Sequence, residues 1–136
     1  MVKQRVAKMN AYLRRAADCC GLRDWSVEME DGSRELKDRD GDELYAEVTM
    51  SEDRTASVIF AEDFWGFPPD KQRSIVVHEL CHPHCRRLRT LGEDLAATAP
   101  VPFRKILEAA IEDADEHATE WMAKLLAPNV PLPPKF

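Results

Sequence analysis

The sequence predicts an α+β domain, and three observations carry that expectation. Residues 3–20 repeat apolar side chains at helical spacing, three short segments between residues 24 and 61 carry strand patterning, and two long helix-period segments follow. The order α-β-β-β-α-α over 136 residues is one domain's worth of chain. The domain is expected at 1–128, with residues 129–136 as a Pro-rich extended tail.

Each element has its own reason. Val6, Met9, Leu13, Ala16, Ala17 and Cys20 form one apolar face, and Gly21 is a natural C-terminal stop. Residues 24–30 (DWSVEME) alternate as a half-buried strand does, and residues 44–50 alternate again. Between them, residues 31–43 are almost entirely charged and read as a solvated loop. Residues 55–61 (TASVIFA) are the most β-prone segment. Pro68, Pro69 and Asp70 then open a helix, with Asp70 as the candidate N-cap and Ile75, Val76, Leu80 and Leu88 on its apolar side. Pro83 has no amide to donate and would clash with the carbonyl of Glu79, so this helix is expected to kink or end near His82. The last helix, Val101 to Leu126, shows an apolar stripe through Phe103, Ile106, Leu107, Ala110, Ala114, Ala118, Trp121, Met122 and Leu125, expected to face the core. Tyr12, Trp25, Trp65 and Trp121 are expected as packing aromatics.

Composition excludes several function classes. The chain carries 19 Lys+Arg and 25 Asp+Glu, a net charge of −6, which argues against direct nucleic-acid binding by phosphate neutralisation. No apolar run reaches the ~18 residues of a membrane span, and no apolar segment follows the basic stretch 1–15 as a secretory signal would require. The four cysteines include the adjacent pair Cys19 and Cys20, and Cys81 and Cys85 lie one helical turn apart. Neither spacing suits a secreted disulfide framework, so reduced thiols and a cytoplasmic setting are expected. Residues 38–43 (DRDGDE) superficially resemble a calcium loop, but position 1 of such a loop would fall on Leu36, which cannot ligate.

Two of the four histidines fall in His78-Glu79-Leu80-Cys81-His82, the pattern H-E-x-x-H on a predicted helix. Residues at i and i+4 stack on one helix face, so both imidazoles can reach one zinc ion. Glu79 is turned about 100° from His78. Its carboxylate would lie beside the ion, placed to take a proton from a water that the metal has acidified. Zinc in such a site needs a third protein ligand. Positions 86, 88 and 92 offer none, being Arg86, Leu88 and Gly92, so the donor is expected on the last helix, where Glu116 and His117 compete. Glu116 falls opposite the apolar stripe and His117 on its edge. Glu120, one turn after Glu116, could accept a hydrogen bond from the far nitrogen of a ligand histidine. Cys81, Cys85, His82 and His84 form the competing arrangement, a structural zinc site without a paired Cys-x-x-Cys elsewhere.

HELCH followed by a helix reading EHATEWMAKLLAP resembles the gluzincin-type metallopeptidases, above all the minimal HExxH proteins of phages and prophages. The likeness spans Leu22-Arg23-Asp24-Trp25 to Pro128. It implies a minimal zincin-like domain with an N-terminal helix, a three-stranded sheet, an HExxH helix and a closing C-terminal helix. It implies zinc held by His78, His82 and Glu116, with Glu120 in the supporting acidic position and Glu79 as general base for peptide-bond hydrolysis. The last helix is also similar to that of immunity-repressor-cleaving peptidases, and in that register His117 takes the ligand position. The SprT-like proteases share the HELCH-like motif, but their further histidine is missing here. The family fold implies that 55–61 is an edge strand bordering the cleft, able to pair with an extended peptide. Tyr45, His84 and His117 are candidate oxyanion donors. The partner expected is a protein or peptide substrate, and the chain a monomer. The competing classes are a silent zincin-like binding protein and a zinc-stabilised interaction module around Cys81 and Cys85.

Overall fold

In the computed structural model, which describes residues 2–136, helix α1 (Val2–Cys19) lies against a three-stranded mixed sheet. Gly21 follows α1 at φ 77°, a left-handed stop that costs glycine little. The sheet is built from β1 (Ser26–Ser33), β4 (Ala46–Met50) and β5 (Thr55–Phe60) in the order β1-β5-β4. β1 pairs parallel to β5, and β4 pairs antiparallel to it, with Val48 opposite Val58. The segment expected at the edge, 55–61, is therefore central, and β1 and β4 are the two edge strands. The physical reason is in its residues: Val58, Ile59 and Phe60 are all buried, so the strand is covered on both faces, as a central strand is.

One face of the sheet packs Val27, Met29, Ala56, Val58 and Phe60 against Met9, Leu13 and Ala16 of α1 and Val76, Val77 and Leu80 of the next helix. The opposite face is small. Ile59 and Ala61 pack there with Leu36 and Leu44, which belong to a two-stranded hairpin of β2 (Leu36–Lys37) and β3 (Glu43–Leu44). The segment 31–43 is thus part strand rather than wholly loop. The buried Leu36 supplies the anchor, and Asp38 accepts hydrogen bonds from the amides of Asp40 and Asp42 to close the turn.

Helix α2 (Pro69–Ala97) continues past Pro83 and does not end near His82. Pro83 is buried, and the residues beyond it pack along helix α3 (Val101–Leu126), so tertiary burial outweighs the lost amide. Pro68 is the N-cap of α2; Asp70 sits within the first turn, where its charge suits the helix dipole. Gly92 marks the close approach of the two helices: a Cβ there would lie 3.2 Å from the Ile111 side chain. The α3 boundaries agree with the sequence pattern, but its orientation does not. Asp115, Thr119 and Ala123 are its buried residues, whereas Phe103, Ile106, Leu107, Trp121 and Leu125 are exposed. Leu88 of α2 is exposed as well.

The tail beyond the short 3-10 turn Ala127–Asn129 has no regular secondary structure and is strapped to the body. Tyr12 donates to the Pro131 carbonyl at 2.9 Å, Val130 is buried, and Phe136 packs edge-on to Trp65. No helix among the described residues is long and apolar enough to cross a membrane.

Candidate metal centre

The two histidines of the motif project from the α2 face that meets both β4 and α3. Val76, Val77 and Leu80 bury the other side of this turn in the core, which fixes the helix rotation and aims His78 and His82 outward. Their rings stand 5.1 Å apart between centroids and nearly perpendicular. α3 brings Glu116 to both of them. Its Oε2 lies 3.2 Å from His78 Nε2 and its Oε1 lies 3.4 Å from His82 Nε2. Donors held 2.0–2.2 Å from a tetrahedral ion sit about 3.4 Å from one another, so these spacings suit a shared divalent ion. Donor atoms of His78, Glu79 and His82 all fall within 4.8 Å of one another, and so do those of His82, Asp115 and Glu116. Neither group includes a cysteine. Cys81 is buried in the core with Cys20, where burial pushes its thiol up to about 12, far from thiolate chemistry.

His117 is not part of this cluster. Its Nε2 accepts a hydrogen bond from Trp121 Nε1 at 3.2 Å on the exposed side of α3. Of the two competing donors, the fold brings Glu116 to the histidines. Glu120 is exposed and pairs with Lys124 at 2.8 Å, and no ligand nitrogen lies within ion-pair distance of it among the described residues. The contact expected of Glu120 is made instead by two buried residues that the sequence reading did not single out. Asp115 Oδ2 lies 3.4 Å from His82 Nδ1, and the Thr119 hydroxyl lies 3.5 Å from the same nitrogen. Asp115 is held in turn by Arg89 Nη1 at 3.0 Å. A carboxylate behind a ligand imidazole fixes its tautomer and leaves Nε2 as the donor to a metal. The D-E step Asp115-Glu116, followed at i+4 by Thr119, is the signal in the sequence: three polar side chains on the face that meets α2.

The electrostatics separate the two histidines. The hydrogen-bonded Glu116 carboxylate raises the pKa of His78, and burial lowers that of His82. Glu116 is pulled down by His78 in the same contact. Glu79 is 7% exposed, and burial raises its carboxyl to about 8, opposed by His78 and by the Val48 amide of β4.

Two open cavities meet at His78 and Glu79. One, of about 710 Å³, runs along β4 from Ala46 to Met50 and is closed by His82, Arg89 and Glu116. The other, of about 660 Å³, continues past Tyr45, Ile75 and Ala123. Together they form a groove bordered by the free edge of β4. Of the three candidate oxyanion donors only Tyr45 lines it. His84 is committed to the Cys20 carbonyl at 2.7 Å, and His117 lies on the exposed side.

Comparison with family models, with curated proteins and with solved structures finds no match to this chain.

Proposed function

We propose that this chain is a zinc-dependent metallopeptidase that hydrolyses peptide bonds in an extended segment laid along β4. The observation that carries the reading is the convergence of His78, His82 and Glu116 beside the buried carboxyl of Glu79, in a groove lined by an unpaired strand edge. Two imidazoles and one carboxylate are a donor set that suits zinc and leaves room for a further ligand. When bound, zinc would act as a Lewis acid and bring a water's pKa towards ~7.

The chain's own residues supply the rest. Asp115 and Thr119 orient His82 through Nδ1, keeping Nε2 free for the ion. Glu79 takes the proton of the attacking water and passes it to the leaving amine. A carboxyl whose pKa is lifted towards neutrality is suited to both halves of that transfer. The side of β4 not paired with β5, apart from the Val48 amide that faces Glu79, would offer backbone groups to an extended peptide and set its register. Tyr45 lines the groove, and its hydroxyl would be the donor to a tetrahedral oxyanion. The setting that the sequence resemblance suggests is a phage- or prophage-encoded protein acting in the cytoplasm.

The test couples metal content to cleavage. Purified protein is expected to hold one zinc per chain, and His82→Ala to lose it. Glu79→Gln should keep the metal and abolish cleavage of an unfolded protein substrate. Zinc retained by His82→Ala but lost from Cys81→Ser/Cys85→Ser would overturn the site. Full metal binding with no cleavage of any peptide mixture would leave the groove as a binding surface, which is the competing class.

A further inference from the structure

Helix α3 carries its large apolar side chains on the face turned away from the metal cluster. Phe103, Leu107, Ala110, Ala114, Ala118, Trp121 and Leu125 are all exposed. At 100° per residue all seven lie within about 40° of Ala114, so they form one straight stripe roughly 33 Å long. No charged residue lies within the stripe, and the Lys124 ammonium stands beside it, 5.6 Å from the centroid of the Trp121 ring. The one polar atom of the Trp121 ring is already satisfied by His117.

α2 widens the same face. Gly92 and Asp115 lie where the two helices meet, as the Ile111 and Arg89 contacts show. One residue onward from each, Glu93 and Glu116 line the cleft. One residue back from each, Leu91 and Ala114 fall on the opposite side, and Leu88 and Leu95 share the side of Leu91. The leucines Leu88, Leu91 and Leu95 are 75%, 56% and 62% exposed, and Phe103, Trp121 and Leu125 are 59%, 58% and 71% exposed. With Leu107 they leave roughly 800 Å² of surface uncovered, what one partner contributes to a standard-size interface. The largest apolar patch of a typical monomer is about 300–600 Å².

The pattern along α3 identifies the occupant. The intervals between the seven stripe residues are 4, 3, 4, 4, 3 and 4, and the residue classes run large, large, Ala, Ala, Ala, large, large. Both sequences read the same in either direction about Ala114. A two-fold axis at Ala114 therefore sets Phe103 against Leu125 of a second copy, Leu107 against Trp121, Ala110 against Ala118, and Ala114 against itself. Self-complementarity of this kind is what an isologous interface requires. Three alanines at the centre allow close approach of the helices, and bulky residues close both ends. The geometry points to a homodimer in which α3 packs antiparallel on α3 of a second copy, flanked by the two α2 helices as a four-helix bundle. Both clefts open away from the interface. The proposal departs from the monomer expected from the sequence.

Sedimentation equilibrium on the full chain should give a mass twice the 15.5 kDa of the chain. Ala114→Asp places two like charges face to face on the axis. It should raise the dissociation constant at least about a hundredfold, with the helical circular dichroism of the monomer retained. In a Cys19→Ser background, oxidised Ala114→Cys should give a cross-linked dimer and Asp113→Cys should not, and this holds even where the aspartate variant folds poorly. A monomeric mass at about 100 µM overturns the proposal. So does a dimer in which Ala114→Cys fails to cross-link, because its interface then lies elsewhere.

Discussion

The two faces of α3 invert the usual amphipathic helix. The inward face buries Asp115 and Thr119 and presents Glu116 to the histidines, while the outward face exposes Phe103, Leu107, Trp121 and Leu125. A helix placed by burial alone would be turned the other way. Two demands hold it as it is. Gly92 and Ile111 set a close helix crossing, and the polar residues find partners only on α2, where Arg89 meets Asp115 and His82 meets Asp115, Glu116 and Thr119. Buried polar groups without those partners would cost several kcal/mol. The inner face is therefore read in metal affinity and pH dependence, and the outer face in association.

The largest expected effect separates Glu116 from its neighbour. Glu116→Ala removes one proposed ligand and should weaken zinc binding roughly a hundred- to a thousandfold, about one ligand's share of the 10–16 kcal/mol of a four-ligand site. His117→Ala, on the outer side, should leave the affinity within about twofold. Competition titration with a chromophoric chelator reads both, and equal losses would break the division between the faces.

The next effect concerns Glu79 in metal-free protein. Its folded pKa, about 8, lies above the ordinary carboxyl value because burial disfavours the charge. The folded chain therefore binds this proton more tightly than the unfolded chain. The stability that follows is complete below about pH 4.5 and is lost as pH rises through 8, a fall of order 4 kcal/mol from this group. Glu79→Gln should remove that slope, so the variant should be the more stable protein at pH 8.5 in EDTA. Urea unfolding at pH 5, 7 and 8.5 measures it, and parallel slopes for the two proteins would contradict the burial.

Much of the site is legible in the sequence because helical spacing is local. His78 and His82 at i and i+4, with Glu79 between, need only one regular helix, and Glu116 follows from asking which side of α3 can face them. The rest depends on facts that no single segment carries. Apolar periodicity finds a stripe on α3 but cannot say whether the stripe meets this chain's core or another surface. That is why Trp121 and Leu125 are expected inside and lie outside. Pro83 reads as a helix end because the penalty is local, while the packing that outweighs it comes from α3, some 30 residues later. Strand order is non-local too. The run Val58-Ile59-Phe60, apolar on both faces, marks a central strand, whereas the family resemblance implies an edge.

Asp115 tests how far the inner face works as a unit. Asp115→Asn keeps the shape but removes the charge behind His82 Nδ1 and leaves Arg89 with a neutral partner. Loss of such a supporting carboxylate costs 10–100-fold in metal affinity, and the same range is expected here. Glu120→Gln, the substitution that the sequence pattern would have favoured, should change affinity by less than about twofold, because Glu120 is engaged with Lys124. The reverse order would restore Glu120 as the supporting group.

The smallest effect expected is at the hinge between the two faces. Gly92→Ala gains helix propensity of up to about 1 kcal/mol. The added Cβ meets Ile111 at 3.2 Å from Cδ1 and 3.3 Å from Cγ1. Cδ1 ends a side chain and can swing away, but Cγ1 moves only with χ1, which a β-branched residue in a helix holds close to one rotamer. The two terms oppose each other, and the net change in unfolding free energy should fall within about 0.5 kcal/mol. Gly92→Val adds volume that Ile111 cannot yield and should destabilise by about 1–3 kcal/mol. It should also weaken zinc binding, because any separation of α2 from α3 lengthens the path from His78 and His82 to Glu116. A valine variant that loses stability but keeps full zinc affinity would show that the metal cluster is held by its own ligands and not by the helix crossing.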